Sequence, residues 1–517
     1  MLRRVFTVER GEVEWRASPE RPRSQRTLLE VLAVAVALLS AGYLLLLWSL
    51  DALPIQDLPN HLARATVEAD LLFHDGRRFG SMFAVDLELW PFVGGDLALA
   101  GLVAVFGSDV AGRLWLMAVA ASLPLSLAAY LRTTGHSAYG VLLSFPLSLY
   151  LTTDWALLSG LHHYRLGLAF VLLALAAGHV WLRSGSVGAY VAWAGLLAVS
   201  YLLHLSALVL GAMGAASIAL VSLAMRTTTW RRVVAGTLPV VALAVWQASY
   251  AGGAPDGDWS WGGLRKIVRL VSPYYRYDRL GDAALFLLFA AVCVLLLVRG
   301  RALRSDPRFV NAAALALVFL GTYAALPFES GRVYYIDSRA LPLVAIFVLV
   351  ASLAAVEHAP RRSTIAVVLA VLLAAANLAA ISTPLIRHNA VMRQYRAVAA
   401  EIPAGARVLP VATAPHVGHV DMYLHAGAFA TLEAGAMTPY LFSGGPNRFF
   451  RYLARPKGIV DEFWYQAGTT LDPHMRSAIV DQFDYLLVKK PYDPGRLPLP
   501  VQEVVGSESA ALLKIIR

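Results

Sequence analysis

Apolar stretches recur down almost the whole chain, separated by arginines, and most approach the roughly 20 residues that a helix needs to cross a bilayer. They occupy positions 28 to 50, 91 to 107, 109 to 131, 138 to 153, 164 to 182, 187 to 203, 205 to 225, 233 to 250, 281 to 298, 309 to 326, 340 to 357 and 363 to 383. Only 15% of the 517 residues are charged and 58% are hydrophobic, whereas soluble domains are about a quarter charged. The expected fold class is therefore an α-helical polytopic membrane protein. The net charge of +10 does not argue for nucleic acid, because the arginines sit in short clusters between apolar runs instead of forming one basic face. Cys293 is the only cysteine, which excludes an intramolecular disulfide and a cysteine metal cluster. The first 26 residues carry several arginines and no apolar core, so no cleavable signal peptide is expected there.

Positive loops prefer the cytoplasm, which places Arg132, Arg183, Arg226 to Arg232, Arg299 to Arg308, and Arg361 with Arg362 on one side. Two apolar runs separate each successive pair of clusters. A basic N-terminus on the same side then requires two spans before Arg132, although three runs are present. The run at 91 to 107 is short, holds Pro91, Gly94, Gly95 and Asp96, and joins the next through Gly107, Ser108 and Asp109. It is expected to be re-entrant or interfacial. The resulting scheme has about eleven spans, a cytoplasmic segment 1 to 27, a transmembrane domain 28 to 384 with its first outer loop at 51 to 108, and an outer domain 385 to 517.

This parity gathers the unusual polar residues at the outer face, where polar groups near membrane depth mark a pathway or site. Asp57 follows the first span directly. From it, Asp57, His61, Arg64 and Glu68 fall on one stripe at helical spacing, with Pro59 in the first turn where proline is tolerated. Asp57 also reads as an N-cap for that helix. The loop before the eighth span holds Arg265, Lys266, Arg269, Arg276 and Arg279 beside Tyr274 and Tyr275. Those cations suit either phosphate recognition or headgroup anchoring. Arg332 and Arg339 flank Asp337 before the tenth span, as phosphate ligands or as parts of a salt-bridged lid. Asp154 and His162 lie on the same face. His162 and His163 are adjacent, so they do not face one way on a helix, and this argues against a shared metal site.

After Pro384 the charged residues, Pro and Gly return. Strands are expected at 406 to 413 and 483 to 489 and helices at 386 to 400, 458 to 467 and 474 to 482. They would form a small α/β domain. No glycine-rich nucleotide fingerprint follows either strand, and no internal repeat supports an inverted-repeat transporter.

A span emerging into a first outer loop with an acidic residue, then surface helices, many spans and a terminal outer domain, resembles the GT-C superfamily of polyprenyl-phosphate-sugar-dependent glycosyltransferases. Sequence likeness concentrates in Gln56, Asp57, Leu58, Pro59, Asn60, His61, Leu62, Ala63 and Arg64. The resemblance implies a GT-C-like transmembrane domain in a bacterial cytoplasmic membrane with its C-terminal domain outside. It implies an inverting hexosyl- or pentosyltransfer from a polyprenyl-phosphate-linked sugar to a cell-envelope glycan or lipid, with Asp57 as catalytic base. Arg265, Lys266, Arg269, Arg276, Arg332 and Arg339 would bind the donor phosphate. Asn60, His61, Arg64, Asp154, His162, Tyr274, Tyr275 and Asp337 would bind substrate or acceptor. A divalent cation is left open as cofactor, with no ligands assigned. The first outer loop lacks the paired Asp-Glu of protein mannosyltransferases, and the chain lacks the Trp-Trp-Asp of oligosaccharyltransferases, which disfavours a protein acceptor. The competing reading is a lipid or polysaccharide flippase that uses the outer acids and arginines as a pathway without sugar transfer.

Overall fold

The computed structural model describes residues 23–86, 88–250, 259–298, 306–330, 333–356, 364–412, 415–443, 450–454, 473–492, 495 and 499–517. Arg332, the expected helix at 458 to 467 and most of the N-terminal segment lie outside the described residues. The chain is an integral membrane protein: nine of its described helices are long and apolar enough to cross a bilayer. Two shorter apolar helices, Ala138–Thr152 and Val187–Leu203, fall on the remaining two of the eleven expected spans. Helix starts obey simple capping chemistry. Ser137 Oγ accepts a hydrogen bond from Gly140 N and Ser186 Oγ accepts one from Ala189 N.

The helix Val93–Thr133 is two helices meeting at Gly107, whose φ of 74° and ψ of 161° are not helical. A residue with a Cβ resists that positive φ. The break divides the expected 91 to 107 segment from the span that follows, and together the two halves make one candidate span. Both halves pack against the helix Leu58–Phe73 in the first loop, the first through Asp96 with Arg64 and the second through Gly112 against Leu62. Leu341–Val356 lies at the centre of the bundle, while Trp230–Tyr250 turns its sides outward.

Loop contacts agree with the charge parity. Arg232 donates to the carbonyls of Leu182 and Arg183, and Arg308 donates to that of Gly135. All three contacts join loops expected inside. At the other end, the segments 154–164, 272–275, 335–342 and 419 converge around one pocket, and all lie in expected outer loops, in the expected outer domain or at the outer ends of the expected spans 164 to 182 and 340 to 357. The scheme yields a labelling prediction. Cysteines introduced at the exposed positions Leu270 and Arg451 should both react with an impermeant reagent from the outer face, against a silent background because Cys293 is buried. Protection of either until the membrane is opened would break the parity.

The expected last span and the helix after it are one element, Thr364–Ala400, which runs through Pro384. Its 37 residues span about 55 Å at 1.5 Å per residue, well beyond a hydrocarbon core of about 30 Å. The distal part carries the C-terminal region: Met392, Tyr395 and Val398 enter a core with Leu58, Leu62, Phe429 and Leu487. The region contains a mixed four-stranded sheet in the order Val408–Val411, Tyr485–Lys489, Ala510–Ile515, Val501–Gly506. Only the first pair is parallel. A separate antiparallel pair, Phe83–Val85 with Phe450–Tyr452, ties the first loop to this region.

Candidate active site

Asp57 precedes the first-loop helix but does not cap it. Its backbone is already near-helical, with φ −91° and ψ −9°, and its side chain makes no capping hydrogen bond. The carboxylate is instead buried, with Oδ1 3.4 Å from Nε2 of His425 in the C-terminal region. Two other segments, 158–160 and 421–425, fix its position. Gln56 N donates to the Leu158 carbonyl, and Gln56 Oε1 accepts from Asp421 N. Behind it lies Gly160, with φ +88°, where a Cβ would come within 2.6 Å of the Asp57 Cβ. Glycine is thus required at 160 both for conformation and for close approach.

The next residue, Leu161, lines a pocket of about 100 Å³. Its wall contains the rings of Trp155, Tyr275, Tyr335 and His419, together with Asp154, Ser338 and Arg339. Trp155 and Tyr335 lie 4.5 Å apart by centroids, and Tyr275 stacks with His419 at 5.7 Å. Arg339 donates through Nη1 to Ser206 Oγ at 2.9 Å, while its buried Nε has no hydrogen-bond partner among the described residues. Aromatic faces beside a guanidinium suit a sugar ring attached to a phosphate.

Most other expected site residues are occupied in holding the fold. Arg276 is fully buried and doubly bonded to Asp282 at 2.6 and 2.8 Å, with further donation to Asn377 and Thr153. Lys266 donates to the Tyr323, Ala324 and Leu326 carbonyls at a helix C-terminus and sits 3.5 Å from buried Asp337. Arg269 lies over the Phe328 ring at 3.7 Å, and Arg265 is exposed. Asp154 caps a short helix through Leu157 N and pairs with Arg165 at 2.9 Å. Burial holds its carboxyl above the ordinary range despite that arginine. Asn60 clamps residues 440 to 442, giving a hydrogen bond to the Tyr440 carbonyl and accepting one from Phe442 N. Tyr274 stacks on Tyr150 in the bundle core.

Arg64 is buried between Asp96 at 2.6 Å and Glu68 at 3.3 Å. Burial, with Asp96 alongside, pushes the Glu68 carboxyl up to about 8. His61, from the same helix, packs against His163 with centroids 4.9 Å apart and against Phe442 at 5.4 Å. Burial, His163 and Arg64 hold the His61 imidazole well below its usual value, favouring the neutral ring. His61, Asp96 and His163 bring ligand atoms close enough to hold a divalent metal. His162 is not in that set, as expected for adjacent helical residues. Asp96 and His425 were missed from sequence: Asp96 lies in a run discounted as a span, and His425 comes from the far end of the chain.

A broken helix beside a first-loop acid, a pocket at one end of the bundle and a C-terminal mixed sheet make up the architecture. The chain is similar in fold to ArnT from Cupriavidus metallidurans in the apo state, with TM-score 0.55 and 12% identity over 93% of this chain and 98% of that one. The same protein bound to undecaprenyl phosphate gives TM-score 0.54 and 13% identity, over 92% and 97%. No protein-family model matches the chain, and no curated protein matches it in sequence.

Proposed function

We propose that this protein is a glycosyltransferase of a bacterial cytoplasmic membrane. It moves a sugar from a polyprenyl-phosphate donor to a cell-envelope glycan or lipid at the outer face. The observation carrying this reading is the Asp57 carboxylate, unused as a helix cap and packed on Gly160, whose neighbour Leu161 lines a pocket of aromatic rings and Arg339. The near full-length fold likeness to ArnT, with a structure bound to undecaprenyl phosphate, supports a donor of that class. In this reading the acceptor hydroxyl attacks the anomeric carbon as the bond to phosphate oxygen breaks, inverting the centre. Asp57 takes the hydroxyl proton late in the displacement, because an alcohol is too weak an acid to ionise beforehand. Arg339 stabilises the charge left on the lipid phosphate.

The reading is tested by supplying purified protein with polyprenyl-phosphate-linked sugars and following release of the lipid phosphate. Arg339→Gln should lower kcat/KM for the donor by about 10- to 150-fold, the value of roughly 1.5 to 3 kcal/mol for a hydrogen bond to a charged group. Arg265→Gln, at an exposed position, should change it little. Equal kinetics in Arg339→Gln and wild type would remove Arg339 from the donor site.

A further inference from the structure

Three elements meet at a buried knot of imidazoles and one carboxylate. His61 comes from the first-loop helix, Asp96 from the half-helix before Gly107, and His163 from the start of the span His162–Ser184. One ligand atom from each lies within 4.8 Å of the others. We propose that His61, Asp96 and His163 bind a zinc-class divalent ion that fastens these elements together and fixes the helix starting at Asp57.

The donor chemistry is that of three-ligand zinc sites: two imidazole nitrogens and a carboxylate oxygen, with a further position for water. Asp96 divides its oxygens accordingly. Oδ2 accepts from Arg64 at 2.6 Å, leaving Oδ1 facing His163 Nε2 at 3.7 Å. A carboxylate anchored through one oxygen and free at the other is how ligands are oriented at metal sites. The imidazoles give the second, independent observation. His61 Nδ1 and His163 Nε2 are buried without a hydrogen-bond partner among the described residues, and His163 is 3% exposed. Buried polar atoms are ordinarily satisfied, and an ion at the centre of the knot satisfies both.

The backbone is shaped to press on the knot. A Cβ at Gly95 would lie 2.2 Å from the His163 ring, so only glycine lets the half-helix approach while the imidazole stays turned toward Asp96. The nearby Arg64 guanidinium opposes a dication, but it stands between Asp96 and Glu68. Asp96 offsets the Arg64 charge directly. Zinc–ligand bonds of about 2.0 to 2.1 Å put ligand atoms about 3.3 Å apart, so ligand atoms that lie within 4.8 Å of one another need to close by up to about 1.5 Å. His61 lies one helical turn beyond Asp57, so an ion there reaches the proposed base through a single turn of helix.

Metal content is read without any transfer assay, so this proposal and the one for Asp57 stand or fall separately. Full-length protein purified in detergent would be stripped with chelator, reloaded with Zn2+, desalted and measured by elemental analysis and thermal denaturation. Wild type should retain one equivalent and melt higher with zinc than without. The His61→Gln/His163→Gln double variant should lose both the equivalent and the zinc-dependent shift, and His162→Gln should keep both. No retained zinc in wild type, or an equal amount in the double variant, overturns the site. If the double variant does not fold, Co2+ decides in wild type. A visible absorption band saturating at one equivalent and displaced by zinc supports the site, and its absence overturns it.

Discussion

Asp57→Asn should cut sugar transfer by about a hundred- to ten-thousand-fold, the usual contribution of a positioned general base, while leaving the fold almost unchanged. An N-cap reading of Asp57 would by itself predict a stability loss on removal of the carboxylate. The side chain makes no capping bond, so that loss is not expected, and Asn keeps a carbonyl oxygen for His425. Asp57→Glu should not restore the rate. Gly160 already presses against the Asp57 Cβ, and an extra methylene has to displace either that turn or the carboxylate. The check is release of lipid phosphate by purified variants, with thermal denaturation in the same detergent. Transfer by Asp57→Asn at the wild-type rate would end the assignment. Movement of lipid across liposomes by wild type, with every sugar-phosphate bond intact, would favour the flippase.

The bundle was legible because the signals that specify it are local and additive. Each apolar run lengthens a single helix, and each arginine cluster marks its own loop. The break at Gly107 could be anticipated from Pro91, Gly94, Gly95 and the Gly107-Ser108-Asp109 junction, all within one short stretch. Strands at 408–411 and 485–489 announced themselves as short apolar runs. The pairs 83–85 with 450–452 and 259–260 with 329–330 did not, since strands of two or three residues carry no usable alternation. The distribution of roles within the outer face was least legible. Arg276 and Arg339 look alike in sequence, yet one meets Asp282 and Asn377 inside the protein while the other reaches the pocket wall. Asp154 likewise reads as an exposed loop acid until Arg165, eleven residues on, folds back to pair with it. Pairings across such distances depend on the finished packing, which composition and period do not encode. Asp57 could be singled out because the backbone signals around it, a span end and a helix start with Pro59, are all adjacent.

Arg276 carries the largest expected effect on stability. Its guanidinium is 1% exposed, and it meets Asp282 through Nε and Nη2 while Nη1 reaches Asn377 and Thr153. Asn377 donates onward to Tyr43 and Thr153, so the network joins the first span, the turn before Asp154, the loop at 276 and the last long helix. Arg276→Ala removes the cation and leaves Asp282 buried against an empty volume, a change that costs about 3 to 5 kcal/mol where one partner of a buried pair is deleted. Asp282→Asn should fall in the same direction by less, since the amide still accepts from Arg276. Arg276→Met combined with Asp282→Leu should recover much of the loss, because exchanging a whole buried pair for apolar groups of similar volume is often neutral. Thermal denaturation of the three variants in detergent checks this order. A phosphate-binding role for Arg276 makes the opposite prediction, with donor kinetics falling in Arg276→Ala while the melting temperature stays at the wild-type value. The bidentate contact to Asp282 leaves the guanidinium no free edge for a phosphate, so the stability loss is the expected result.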